Sequence, residues 1–170
     1  MKVLPLTLCA ILLSFSALAQ NLSLRKLKKL RRMDSVEIDQ KLKNKGWSFI
    51  SDAKPSEKMM GKAVWAFNPT AEGAAAWCVL YYSDTSPSRI LYNLYEGNSI
   101  QKIQKKIRRR NPLPIAEGHT LKRVEQLESY ADYPVNDTVL RLLHYIQPGA
   151  DGVKIFDKSD YLKATENGRL

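Results

Sequence analysis

The sequence predicts an α+β protein of two similar halves, each a helix followed by four antiparallel strands (α-ββββ-α-ββββ), sharing one continuous sheet. Three observations predict it. Two segments, 35–45 and 99–110, carry apolar residues three and four positions apart, the spacing of a helix with one buried side. Each is followed by short runs rich in Val, Ile, Leu and Tyr, broken by Pro, Gly and Asn, as antiparallel strands and their turns require. An offset of about 64–65 residues then superimposes Ile38 on Ile103, Leu42 on Ile107, Tyr81 on Tyr145 and Leu91 on Ile155, a repeat of pattern with little residue identity.

The first element is not part of the fold. Met1-Lys2 leads into an uncharged apolar run from Val3 to Leu18, and Ala17-Leu18-Ala19 offers small residues at both sieve positions of a signal peptidase. Residues 1–19 therefore read as a secretory signal peptide, cleaved between Ala19 and Gln20, and the chain is destined for the periplasm or the cell exterior. Basic residues from Arg25 to Arg32 follow the apolar run, as they would in a reversed membrane anchor. The run is short and contains Pro5, which argues for the cleaved leader instead.

Residues 20–33 form a basic arm or amphipathic helix, with Leu24, Leu27, Leu30 and Met33 three apart among the cations. The first half spans 34–97. Asp34-Ser35-Val36-Glu37 is a capping box, opening a helix to Lys45 that buries Ile38 and Leu42 and stops at Gly46. Strands are expected at Trp47–Ser51, Ala63–Asn68, Ala74–Tyr82 and Arg89–Tyr95. The third is apolar on both faces and should be central.

The second half spans 98–170. Its helix, Ser99–Arg110, buries Ile100, Ile103 and Ile107 opposite a cationic side and ends before Pro112. Strands follow at Leu113–Glu117, Leu121–Ser129, Thr138–Ile146 and Val153–Phe156. Thr138–Ile146 also fits a helix capped by Asp137, but Pro148-Gly149 looks like a hairpin turn into the next strand. Ser159 is placed to cap a closing turn at Asp160–Lys163.

Composition narrows function more than motifs do. The chain has 27 Lys+Arg against 17 Asp+Glu, a formal net charge of +10, and loses only Lys2 with the leader. Such a charge favours anionic partners. Cys9 leaves with the leader, so Cys78 has no intramolecular disulfide partner and reads as a buried thiol. There is no Gly-x-Ser-x-Gly, His-Glu-x-x-His, Gly-rich phosphate loop or Cys-x-x-Cys. His119 in a turn and His144 on a strand are the only imidazoles, and neither adjoins a nucleophile motif. Asp151-Gly152 lacks the alternating acids of a calcium loop, and Asp157 and Asp160 suit turn and cap chemistry. No catalytic, cofactor or metal site is assigned.

Two candidate surfaces remain. Arg25, Lys28, Lys29 and Arg32, with Lys102, Lys105, Lys106 and Arg109, form a candidate face for an anionic partner such as lipid or polysaccharide. Nucleic acid is disfavoured, because no stacking platform accompanies the cations. Tyr92, Tyr95 and Trp65 are candidate recognition aromatics, since exposed Tyr and Trp commonly anchor interfaces. The tandem helix-and-sheet plan resembles that of the β-lactamase inhibitor proteins in architecture, with no shared motif. The expected role is a secreted, non-enzymatic module binding a protein partner. A basic protein held on the anionic envelope is the alternative, and an enzyme of unrecognised type the third reading.

Overall fold

The computed structural model describes residues 22–95, 97–109, 113–122 and 124–170. The leader, its cleavage point and Arg110 lie outside them. Among the described residues are four α-helices and one eight-stranded antiparallel sheet: α1 (Leu24–Leu30), α2 (Ser35–Leu42), β1 (Trp47–Ala53), β2 (Gly61–Phe67), β3 (Ala76–Tyr82), β4 (Arg89–Leu94), α3 (Ser99–Arg108), β5 (Ala116–Gly118), β6 (Leu127–Val135), β7 (Thr138–Tyr145), β8 (Asp151–Asp157) and α4 (Lys158–Glu166). The strand order is β1-β2-β3-β4-β8-β7-β6-β5. Two meanders thus meet where β4 pairs antiparallel with β8, Leu91 opposite Lys154.

The local rules behind the helices are visible. Asp34 accepts from the Glu37 amide at 2.8 Å while Glu37 reaches back to the Asp34 amide, satisfying two otherwise orphaned donors. After a 3-10 turn, Gly46 adopts φ +77°, and a Cβ there would sit 2.8 Å from the Phe67 ring. α1 is no loose arm: Ser23 caps it, and Leu22, Leu27 and Leu30 are buried.

The helices α1, α2 and α3 cover one face of the sheet. Their Leu27, Leu30, Ile38, Leu42, Ile100, Ile103 and Ile107 share a core with Trp65, Cys78, Tyr92, Val153 and Leu142. Each such aliphatic side chain contributes about 1.5–3 kcal/mol of burial, and the stripe on α3 holds three of them. α4 lies on the other face, where Tyr161 packs on Val139 and Phe156.

Three elements differ from expectation, the first being the strand expected at Leu113–Glu117, which is only the three-residue β5 at Ala116–Gly118. The strand expected at Leu121–Ser129 is instead β6 at Leu127–Val135, while Leu121 and Val124 close only an isolated bridge. Gln126, at φ +53°, breaks the chain between them. Pro134 lies inside β6 rather than ending it. Asp132 accepts from Ile115 towards β5, so alternation turns Pro134 to the same side, past the end of the three-residue β5. Its missing N–H therefore breaks no ladder bond. The closing helix is also longer than the expected turn and is capped by Asp157, whose carboxylate accepts from the Ser159 amide and hydroxyl at 3.1 and 2.8 Å.

Candidate functional site

Strand alternation sorts every residue to one of two faces. The face opposite α1–α3 carries two adjoining rows that run across the middle of the sheet. Val79, Leu91, Lys154, Arg141 and Asp132 follow one another across β3, β4, β8, β7 and β6. Trp77, Asn93, Gly152, Leu143 and Tyr130 form the next row. Leu91, Lys154, Trp77, Asn93 and Tyr130 among them are half-buried rather than sealed.

Charge on this face is organised in pairs. Arg141 donates from Nε and Nη2 to the two oxygens of Asp132 at 2.8 and 2.7 Å. Asp132 is 0% exposed and also accepts from the Tyr161 hydroxyl at 2.8 Å. Burial, with that bond to Asp132, pushes the Tyr161 hydroxyl up to about 12. Arg89 holds Asp160 of α4 in the same two-pronged way, at 2.7 and 3.0 Å, a geometry suited to guanidinium.

Lys154 sits between these two arginines. Its Nζ lies 4.4 Å from the centre of the Tyr81 ring and 5.3 Å from that of Phe156. Among the described residues it has no carboxylate within ion-pair distance and no hydrogen bond. Burial lowers its pKa to about 8, helped by repulsion from Arg89 and Arg141.

At the near end of the second row the Tyr145 hydroxyl donates to Asn93 at 3.2 Å, and burial pushes it up to about 12. Gly152 makes room for this contact, because a Cβ there would meet Asn93 Oδ1 at 2.5 Å. Trp77, Tyr81 and Tyr95 are half-buried on the same face.

The candidate aromatics divide accordingly. Trp65 and Tyr92 are 0% exposed, which removes them as recognition residues. Their parity points them at the helices, where Trp65 donates to Asp39 at 3.2 Å and the Tyr92 hydroxyl lies 3.3 Å from that of Ser99. Tyr95, of opposite parity, remains accessible.

The two basic stretches, remote in sequence, come to the same side of the molecule. α1 packs over β4 and α3 over the neighbouring β8. Arg25, Lys29, Lys102, Lys105, Lys106 and Arg109 are exposed there, and Lys28 is half-buried. Arg32 is exposed too but pairs with Asp137 at 3.5 Å. Arg31 instead turns inward, donating to the Ser88 carbonyl at 3.0 Å beside a cleft of about 710 Å³.

The histidines have hydrogen-bond partners, and the thiol is sealed in the core. His144 Nδ1 donates to Asp151 at 2.6 Å and its Nε2 lies 3.1 Å from Gln104 of α3. The bond to Asp151 raises the His144 pKa. Ser129 stands opposite His144 across the ladder but makes no hydrogen bond to it. His119 donates to the Glu128 carbonyl at 2.8 Å on an exposed turn. Cys78 is fully buried, its thiol pushed up to about 12, which removes the thiolate a nucleophile needs.

Sequence reasoning missed Lys154, Arg141, Asp132 and Arg89. A signal was present: Arg141 and Lys154 are lone charges inside the apolar runs Val139–Leu143 and Val153–Phe156, and a charge in such a run faces a partner or an open surface.

No protein-family model, curated protein or solved structure matches this chain. No helix among the described residues is long and apolar enough to cross a membrane, and those residues contain no cluster of metal-ligating side chains.

Proposed function

We propose that this is a secreted, non-enzymatic binding module that docks an acidic protein partner on the sheet face opposite α1–α3. The observation that carries this reading is the half-buried band of Trp77, Tyr81, Tyr95 and Tyr145, bordered by ion-paired arginines and left uncovered by α1–α3. Aromatics of this kind supply rigid contact area at low entropic cost. The chain's formal charge of +10, reduced only by Lys2 when the leader is removed, makes an acidic partner the complementary one. Residues 1–19 supply the export signal in this reading, and the α-ββββ-α-ββββ order is that of two related halves joined at the β4·β8 seam.

Affinity capture from the secreted fraction tests it. The wild-type protein should retain one discrete acidic protein at about 0.3 M salt, where screening is strong. Trp77→Ser and Tyr145→Ser should release it, and reversal of Lys102, Lys105, Lys106 and Arg109 to Glu should not. Capture that ignores the aromatic variants would overturn the proposal.

A second reading is favoured by the shared orientation of residues 25–32 and 102–109. A cationic helical layer of this kind docks on anionic lipid or polysaccharide. It predicts retention on phosphatidylglycerol vesicles that fades between about 0.1 and 0.5 M salt and disappears on the same charge reversal.

A further inference from the structure

We infer that Lys154 is the anchor of a carboxylate-binding site, completed by an Asp, Glu or C-terminal carboxylate of the docked acidic polypeptide. The inference rests on reading this sheet face as the docking surface, and it names the chemistry of the contact at its centre.

The argument begins with a charge count along one patch. Three cations, Arg89, Lys154 and Arg141, lie on adjoining strands β4, β8 and β7. Among the described residues two carboxylates serve them, and both are committed. Asp160 is gripped at both oxygens by Arg89. Asp132 is gripped at both oxygens by Arg141 and takes a third bond from Tyr161. Lys154, in the middle, is left one negative charge short.

Neither ladder nor side chains can supply the deficit. The backbone groups of β8 are occupied by β4 and β7 on either side. What remains next to the ammonium is the ring of Tyr81 and that of Phe156. Ring faces attract a cation but accept none of its three hydrogen bonds in the way an oxygen does. A charged side chain drawn fully out of water is ordinarily paired, and Lys154 is drawn part of the way without a pairing carboxylate. The groups facing Lys154 are Tyr81 of β3, Arg89 of β4, Arg141 of β7 and Asp160 of α4; burial first and then the two arginines press its pKa down, against the pull of Asp160.

The surroundings select the ligand. The two guanidinium forks are turned to their own aspartates, so the vacant donors belong to a point charge, which suits one carboxylate oxygen. Val79 and Leu91 continue the row on the other side of Lys154, an apolar floor for the methylenes of an acidic side chain. A polypeptide can occupy floor and ammonium together, whereas a free anion uses the ammonium alone.

Lysine side-chain NMR on the full mature protein tests this, with the Lys154 Nζ and Cε signals assigned through Lys154→Met. The probes are an acetylated triglutamate peptide, and acetate or inorganic phosphate at matched charge concentration. The peptide should raise the Lys154 titration midpoint, about 8 when free, by about one unit. Lys154→Met should weaken the peptide about ten-fold, Lys154→Arg should recover much of the loss, and reversal of the α3 cations should leave the Lys154 response intact.

A Lys154 signal indifferent to the peptide overturns the inference. If the discrete partner is still captured through Trp77 and Tyr145, the docking surface survives without its carboxylate anchor; if it is not, the surface falls as well. Acetate or phosphate moving Lys154 as far as the peptide does would overturn the polypeptide as occupant. Unchanged unfolding midpoints in Lys154→Met and Lys154→Arg keep these outcomes separate from misfolding.

Discussion

Along β4, Ile90, Tyr92 and Leu94 are sealed beneath the helices, whereas Arg89, Leu91 and Asn93, one residue away in each case, stay half-buried on the opposite face. The sealed face relies mainly on apolar packing, with three helices contributing stripes to one cluster. The other face is stabilised by a different means. α4 covers one end of it, and paired charges and hydroxyls hold the rest in register. The difference teaches that one strand can serve a core and a recognition surface together, because alternation sends adjacent side chains to environments of unlike polarity.

The largest expected effect breaks the second face at its deepest pair. Asp132→Ala leaves the Arg141 guanidinium and the Tyr161 hydroxyl without their acceptor, and should cost about 3–5 kcal/mol in urea unfolding. Replacing the pair together, Asp132→Leu with Arg141→Met, should cost far less, since no lone charge is then buried. A loss below about 1 kcal/mol for Asp132→Ala alone would mean the pair is solvated.

Truncations on the two faces sharpen the contrast. Ile103→Ala opens a cavity under α3 and should cost about 2–5 kcal/mol. Leu91→Ala, on the half-buried row, should cost about 1–2 kcal/mol, because less of its surface leaves water. Equal losses would show the second face to be as closed as the first.

The smallest effect lies where α3 meets the ends of β7 and β8. Because the folded pKa of His144 is raised above its ordinary 6.5, its bond to Asp151 contributes stability that is full below 6.5. That contribution is lost as pH rises through the raised value. With the side chain 41% exposed, solvent screening keeps it below about 1 kcal/mol. Thermal midpoints should therefore fall on alkalinisation more steeply in the wild type than in Asp151→Asn, and parallel curves would remove the pair from the stability balance.

Much of the fold was legible residue by residue. The Asp34–Glu37 box, the stop at Gly46 and the isoleucine stripe of α3 are local signals that act within one or two turns. Thr138–Tyr145 is a strand, as the hairpin signal at Pro148-Gly149 indicates, although its apolar spacing also suits a helix. β6 was misplaced because Pro134 reads as a terminator, and only the shortness of β5 makes it harmless. The site was less legible. Trp65 and Tyr92 looked like recognition residues because composition cannot tell which parity faces the helices. Asp160, read as turn chemistry, instead holds Arg89 from a distant element.

What the sequence by itself determined is the α+β class, the helix ends, most strands and a strongly basic surface, because capping, alternation and charge act over a few residues or need no geometry. The tertiary structure alone decided that β4 joins β8, that residues 25–32 and 102–109 share one side, and that Lys154 stands between Arg89 and Arg141. Those relations link residues dozens of positions apart. They exist only once strand pairing has fixed which side chains share a face, and with it which charges find a partner and which do not.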